Sequence, residues 1–233
     1  MGGGSFLNEM VAAVAQAGRF PLVLYAAAAS QMLPILAAFR HRTRLPPARL
    51  WAIAWCASLL LSDAAQFSLR GIENRWAQIL AVPIQNAIML WTLSLWQRHA
   101  VSRLAFRIAI PLFLVAVIAL VPTVRDKNTF ELVARPFQAL LLLAAALYTL
   151  VSNAARDPGG VTRQDWFWIT LGASLYFGLR VALPPFAAVL MESHVSLVRL
   201  AYLVQAWADI AVFLLIARGI WCPLPQARSG GFF

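Results

Sequence analysis

The chain has 233 residues, 61 % of them apolar and 12 % charged, whereas soluble domains carry roughly a quarter of charged residues, so this composition belongs in a bilayer. About seven spans of ~20 residues fill the length, which excludes an appended catalytic or signalling domain. The net charge of +10 would suggest nucleic acid in a soluble protein; in a membrane protein it reports orientation, and no nucleic-acid partner is expected.

Residues 1–20 open Met1-Gly-Gly-Gly-Ser-Phe6, with neither the basic start of a signal peptide nor the Ser or Thr that myristoylation needs at Phe6. Phe6, Leu7, Met10, Val11, Val14 and Ala17 recur at helical spacing, which predicts a surface helix ahead of the first span. Apolar runs then follow at Pro21–Phe39, Leu50–Leu69, Trp76–Trp96, Leu104–Val121, Leu132–Val151, Trp166–Leu190 and Val195–Ile220. Each can cross ~30 Å as a helix, and Leu45-Pro46-Pro47, Arg125-Asp126-Lys127-Asn128 and Asp157-Pro158-Gly159-Gly160 separate them. The expected fold is all-α: a polytopic seven-helix domain over 21–221 and a disordered cytoplasmic tail over 222–233. Cys56 and Cys222 are far apart and lack metal-ligand company, so neither a disulfide nor a metal is expected, and no cofactor.

If the odd-numbered loops and the C-terminus share one side, that side collects 11 basic residues, among them Arg40, Arg42, Arg44 and Arg49, against six opposite. The N-terminus is then outside and the C-terminus cytoplasmic. Trp51, Trp76, Trp96, Trp166 and Trp221 fall at span ends as an interfacial belt. An Arg-, Ala- and Leu-rich composition almost without Lys suggests a GC-rich bacterial genome and hence the inner membrane.

Leu80–Arg98 laid over Leu200–Arg218 matches Leu80, Ala81, Gln85 and Arg98 with Leu200, Ala201, Gln205 and Arg218. Ala57-Ser58-Leu59 also matches Ala173-Ser174-Leu175, so spans 2–3 echo spans 6–7. Chance identity among Ala- and Leu-rich helices is the competing explanation; a parallel three-plus-one-plus-three repeat is the structural one. That topology resembles the SWEET-type sugar facilitators and the PnuC-type vitamin transporters. Gln85-Asn86 with Trp91 and Trp96, and Asp165-Trp166-Phe167-Trp168, are similar to the Trp- and amide-rich helices of the PnuC group. The PQ dipeptide of the SWEET superfamily is absent, Pro83-Ile84-Gln85 being the nearest approach. Asp209 also resembles the aspartate one turn before the retinal lysine of microbial opsins. Phe213 stands at that later position and Lys127 lies in a loop, so a Schiff-base pigment is not expected.

The polar residues inside the spans carry the functional information. Asp63 and Gln66 lie in span 2, Gln85 and Asn86 in span 3, Arg135 and Gln138 in span 5, Tyr176 and Arg180 in span 6, and Tyr202, Gln205 and Asp209 in span 7. Helical spacing puts each set on one face, and all fall in a layer from the membrane centre outward. An unpaired charge there costs ~2.5–3.5 kcal/mol or more, so Arg180 is expected to pair with Asp209 and Asp63 with Arg135. The candidate ligand-binding residues are Asp63, Gln85, Asn86, Tyr176, Arg180, Tyr202, Gln205 and Asp209; for the amides, interhelical hydrogen bonding is the alternative role. Arg135 can instead snorkel to the interface, and Asp63 can be a buried neutral acid.

Ala26–Ser30 and Ala144–Ala146 are small-residue patches for close helix packing. Kinks are expected at Pro83, Pro111 and Pro136, and an end or sharp bend of span 6 at Pro184-Pro185. His41, His99 and His194 are scattered in loops. With no nucleophile elbow and no HExxH, an enzyme is not expected. The favoured reading is a transporter or facilitator of a small polar solute. The alternatives are a ligand sensor with a separate partner, docked at Arg40–Arg49 and Arg98–Arg107, and an assembly subunit or homo-oligomer within a larger membrane complex.

Overall fold

The computed structural model describes residues 21–39, 45–68, 72–120, 127–156, 160–191 and 195–223. The expected surface helix over 1–20 and the tail beyond 223 lie outside the described residues. The helices are α1 (Pro21–Ser30), α2 (Met32–Phe39), α3 (Pro47–Ser68), α4 (Ile72–Leu95), α5 (Ala100–Leu120), α6 (Lys127–Ala154), α7 (Asp165–Met191) and α8 (Val195–Trp221), with a 3-10 turn at Val161–Arg163. There is no strand among the described residues. Within α3, α5, α6, α7 and α8 lie stretches long and apolar enough to cross a membrane, and the α1–α2 pair makes a sixth if taken as one bent span. The chain is therefore a helical, multi-pass membrane protein.

The first apolar run is broken, with a 41° bend between α1 and α2. Pro34 causes it: lacking an N–H, it cannot bond to the Ser30 carbonyl, and its ring crowds that carbonyl. Gln31 sits at the break, its N–H reaching only the Ala28 carbonyl at 3.2 Å. The other prolines do not interrupt their helices. α4, α5 and α6 run on through Pro83, Pro111 and Pro136, and α7 continues past Pro184-Pro185 to Met191. Neighbouring helices can hold such a segment helical despite one lost backbone bond.

Both α1 and α2 lie against α8, and α2 also meets α3. The α3–α4, α6–α7 and α7–α8 pairs pack along their lengths, and α4 also meets α5 and α6. α5, the most apolar span, is peripheral: Val101, Leu104, Leu112, Val115 and Ile118 are exposed, while Phe113 and Val117 bury against Ile79, Val82 and Ala134. Lipid solvates that outer face as well as protein would, so it needs no cover.

α3 and α7 face each other across the middle through large side chains. The Trp55 ring meets Tyr176 edge-on at 5.3 Å, and Tyr176 meets Phe213 of α8 at 6.1 Å. Met89, Leu90, Leu93, Leu142, Ile169, Ile216 and Ile220 extend this dry cluster. Of the small-residue patch on α6, Ala145 and Ala146 are buried in this cluster and Ala144 is exposed.

Cys222, assigned from sequence to the tail, is buried beside the end of α8. Burial pushes its thiol up, against the opposing pull of Arg218 and Arg49. Since the thiolate is the nucleophile, Cys222 in folded protein at pH 8 is expected to resist alkylation until the chain is unfolded in SDS, as read by mass spectrometry. Rapid labelling of the native state would contradict this packing.

Candidate functional site

A buried clamp fixes the height of three helices. Arg49, 1 % exposed, donates Nε to Asp165 Oδ2 at 2.8 Å, and Nη1 to the carbonyls of Ile220 at 3.1 Å and Cys222 at 2.8 Å. The starts of α3 and α7 and the end of α8 are thereby pinned to one level. Counted from that level at 1.5 Å per residue, Asp63, Arg180 and Asp209 stand about 17 to 23 Å along their helices, and so come to one layer.

In that layer Arg180 Nη2 lies 3.8 Å from Asp209 Oδ2, the pairing expected from the sequence. The guanidinium carbon of Arg180 also sits 4.8 Å from the centroid of the Tyr176 ring, a cation-π contact on the upper surface of the aromatic cluster. Asp63 and Arg135 are within electrostatic reach of the Tyr176 hydroxyl, as Asp63 and Tyr202 are of Arg180. A direct charged contact in this layer thus joins α7 and α8.

A direct hydrogen-bond partner of Asp63 is one the sequence did not single out: Gln31 donates Nε2 to Asp63 Oδ2 at 2.6 Å. The break at Pro34 delivers it, and the amide beside a proline within an apolar run was the signal for it. Three atoms of this group are buried without a partner among the described residues: Arg180 Nε, Asp209 Oδ1 and Gln31 Oε1. Yet the Arg180 and Asp209 side chains are 36 % and 14 % exposed, so the pair remains reachable.

The remaining candidates divide. Tyr176 is 6 % exposed and part of the aromatic cluster. Tyr202 and Gln205 are half-buried on the Asp209 face of α8. Gln85 is half-buried on α4, and Asn86, 1 % exposed, leaves both amide atoms without a partner among the described residues. None of the described contacts joins either residue to Arg180 or Asp209. The Gln138 amide ties α6 to α4 by donating to the Val82 carbonyl at 2.9 Å, an interhelical role. The Gln66 side chain lies outside the described residues.

A separate cleft of about 270 Å³ opens at the clamped end, where Arg98, Arg103, Asn153, Gln164, Trp96 and Trp166 line it. The aromatic cluster stands between it and the charged layer. Among the described residues no group of His, Cys, Asp and Glu could hold a metal ion. Compared with known proteins, the chain matches no family model, no curated protein and no solved structure.

Proposed function

We propose that this protein is a transporter or facilitator for a small polar solute, bound between Arg180 and Asp209. The observation carrying this reading is the unused hydrogen-bonding capacity of a partly exposed ion pair: the buried atoms Arg180 Nε and Asp209 Oδ1 have no partner among the described residues, although the two side chains meet at 3.8 Å. Leaving such groups unsatisfied in low dielectric is costly, and a solute offering both an acceptor and a donor satisfies them together. Arg180 would donate to a solute oxygen and Asp209 would accept an O–H or N–H.

Two features of the fold support carriage over mere capture. The bent span beside Asp63 belongs with the discontinuous helices that line transporter sites. With span 4 left aside, exchanging the first three spans for the last three maps contacting pairs of helices onto contacting pairs. Span 1 lies on span 7 as span 5 lies on span 3, and both halves pair their second and third members. This favours a three-plus-one-plus-three bundle; counting α4 as a full span, placing the Arg-rich clamped end in the cytoplasm and the protein in the bacterial inner membrane rests on loop charge and composition.

The test is a thermal-shift screen of small polar metabolites on purified protein, followed by flux into proteoliposomes. Arg180→Ala and Asp209→Asn should each weaken binding of a stabilising solute about ten- to a hundredfold, the value of a charge-assisted hydrogen bond. Both should leave Cys222 protected from alkylation, separating ligand loss from unfolding. Binding without flux would replace the transporter by a sensor. If no solute is lost with either variant, the pair is only a staple between α7 and α8 and the proposal fails.

A further inference from the structure

The cleft at the clamped end lies where α4 and α6 finish and where α5 and α7 begin. Its lining includes two guanidiniums and no carboxylate. Asp165, next to the lining residue Trp166, does not offset them: Oδ2 is held by Arg49, and Oδ1 accepts the Trp166 backbone N–H at 2.8 Å. The cleft thus carries uncompensated positive charge against low-dielectric walls, which concentrates field on an anion.

The available donors suit a tetrahedral oxyanion. Arg103 gives Nε and Nη2 to the Gln97 carbonyl, at 3.3 and 2.8 Å, covering an end of α4 that would otherwise repel an anion. Its Nη1 stays free of those two bonds. Arg98 is exposed and makes none of the described hydrogen bonds. Asn153 Nδ2 is buried, with no partner among the described residues, in the wall of the same cleft. A volume of about 270 Å³ is about nine times the ~30 Å³ share of one water, room for a phosphate and part of what it is attached to. Guanidinium forks match phosphate oxygens in pairs, and Trp96 and Trp166 supply interfacial flanks.

We propose that this cleft is a binding site for a phosphate group, presented by the headgroup of an anionic lipid or by a free phosphate compound. It is independent of the solute site and holds whether or not Arg180 and Asp209 bind anything.

The experiment follows thermal unfolding of the full chain in neutral detergent by tryptophan fluorescence. One arm adds inorganic phosphate against sodium chloride of equal ionic strength; the other adds phosphatidylglycerol against phosphatidylcholine. A saturable rise in Tm specific to phosphate in both arms marks a site for the phosphate group itself, and one confined to phosphatidylglycerol marks a lipid-headgroup site. In either case Arg98→Gln should weaken apparent affinity about tenfold, the loss of one charge-assisted hydrogen bond. Asn153→Asp, which keeps the shape and adds a negative charge, should abolish the effect. No rise beyond the chloride and phosphatidylcholine controls, or a rise unchanged in both variants, would overturn the proposal.

Discussion

Arg49→Ala is expected to destabilise the protein by about 3–5 kcal/mol, the largest effect of any single substitution considered. The guanidinium is 1 % exposed and holds Asp165, Ile220 and Cys222 at 2.8 to 3.1 Å, so its removal leaves a carboxylate and two helix-end carbonyls buried without their donor. Arg49→Lys keeps the charge but not the fork, which cannot be matched by one ammonium reaching three oxygens, and should fall between. The measurement is Tm in detergent together with Cys222 alkylation at pH 8. In Arg49→Ala the Cys222 thiol should become reactive, because the carbonyl of that residue has lost its anchor. A Tm within a degree of the parent protein and an unreactive thiol would show that the clamp contributes nothing to holding these helix ends.

Gly219→Ala is the second. A Cβ at Gly219 would lie 2.6 Å from Ile169 Cγ1, 3.0 Å from the Asp165 carbonyl oxygen and 3.2 Å from the Ile169 backbone nitrogen. Cγ1 sits on the branched Cβ of Ile169 and is stiff in a helix, and the backbone of α7 cannot move aside alone. α7 and α8 must then separate at the clamped end, with an overpacking penalty of about 1–3 kcal/mol. Separation also draws Asp165 from Arg49, so Gly219→Ala combined with Arg49→Ala should cost less than the two singly added. Gly178→Ala is the control: its Cβ would meet only Leu143 Cδ1 at 3.9 Å, ordinary contact, and alanine in a helix is favoured over glycine by about 0.5–1 kcal/mol. Equal Tm changes at the two glycines would disprove the close approach of α7 and α8 at this point.

The helices could be read from the sequence because hydrocarbon leaves the backbone little choice. Every N–H and C=O must be satisfied within the span, so an apolar run between charged or Pro-Gly segments becomes a helix, and α3 to α8 follow the runs closely. The Arg180–Asp209 pairing was legible for a similar reason: two opposite charges at one depth on consecutive helices have few other partners. The bend at Gln31 was present as Pro34 within the first run, yet a proline's effect depends on what surrounds it. Pro83, Pro111 and Pro136 occur inside helices that continue. Arg49 was the least legible, because a basic residue just outside an apolar run satisfies the orientation rule and gives no hint of burial.

By itself, the sequence determined that the chain is helical and crosses a membrane several times, and where most of its helices lie. Those properties follow from the energetics of single segments in hydrocarbon. Tertiary structure alone decided that Gln31 reaches Asp63, that Arg49 gathers three helix ends, and that an aromatic cluster separates the charged layer from the basic cleft. Each depends on which helix faces which across distances of many residues, and in a bilayer that choice rests on close packing and paired polar groups rather than on hydrophobicity, which one span satisfies as well as another.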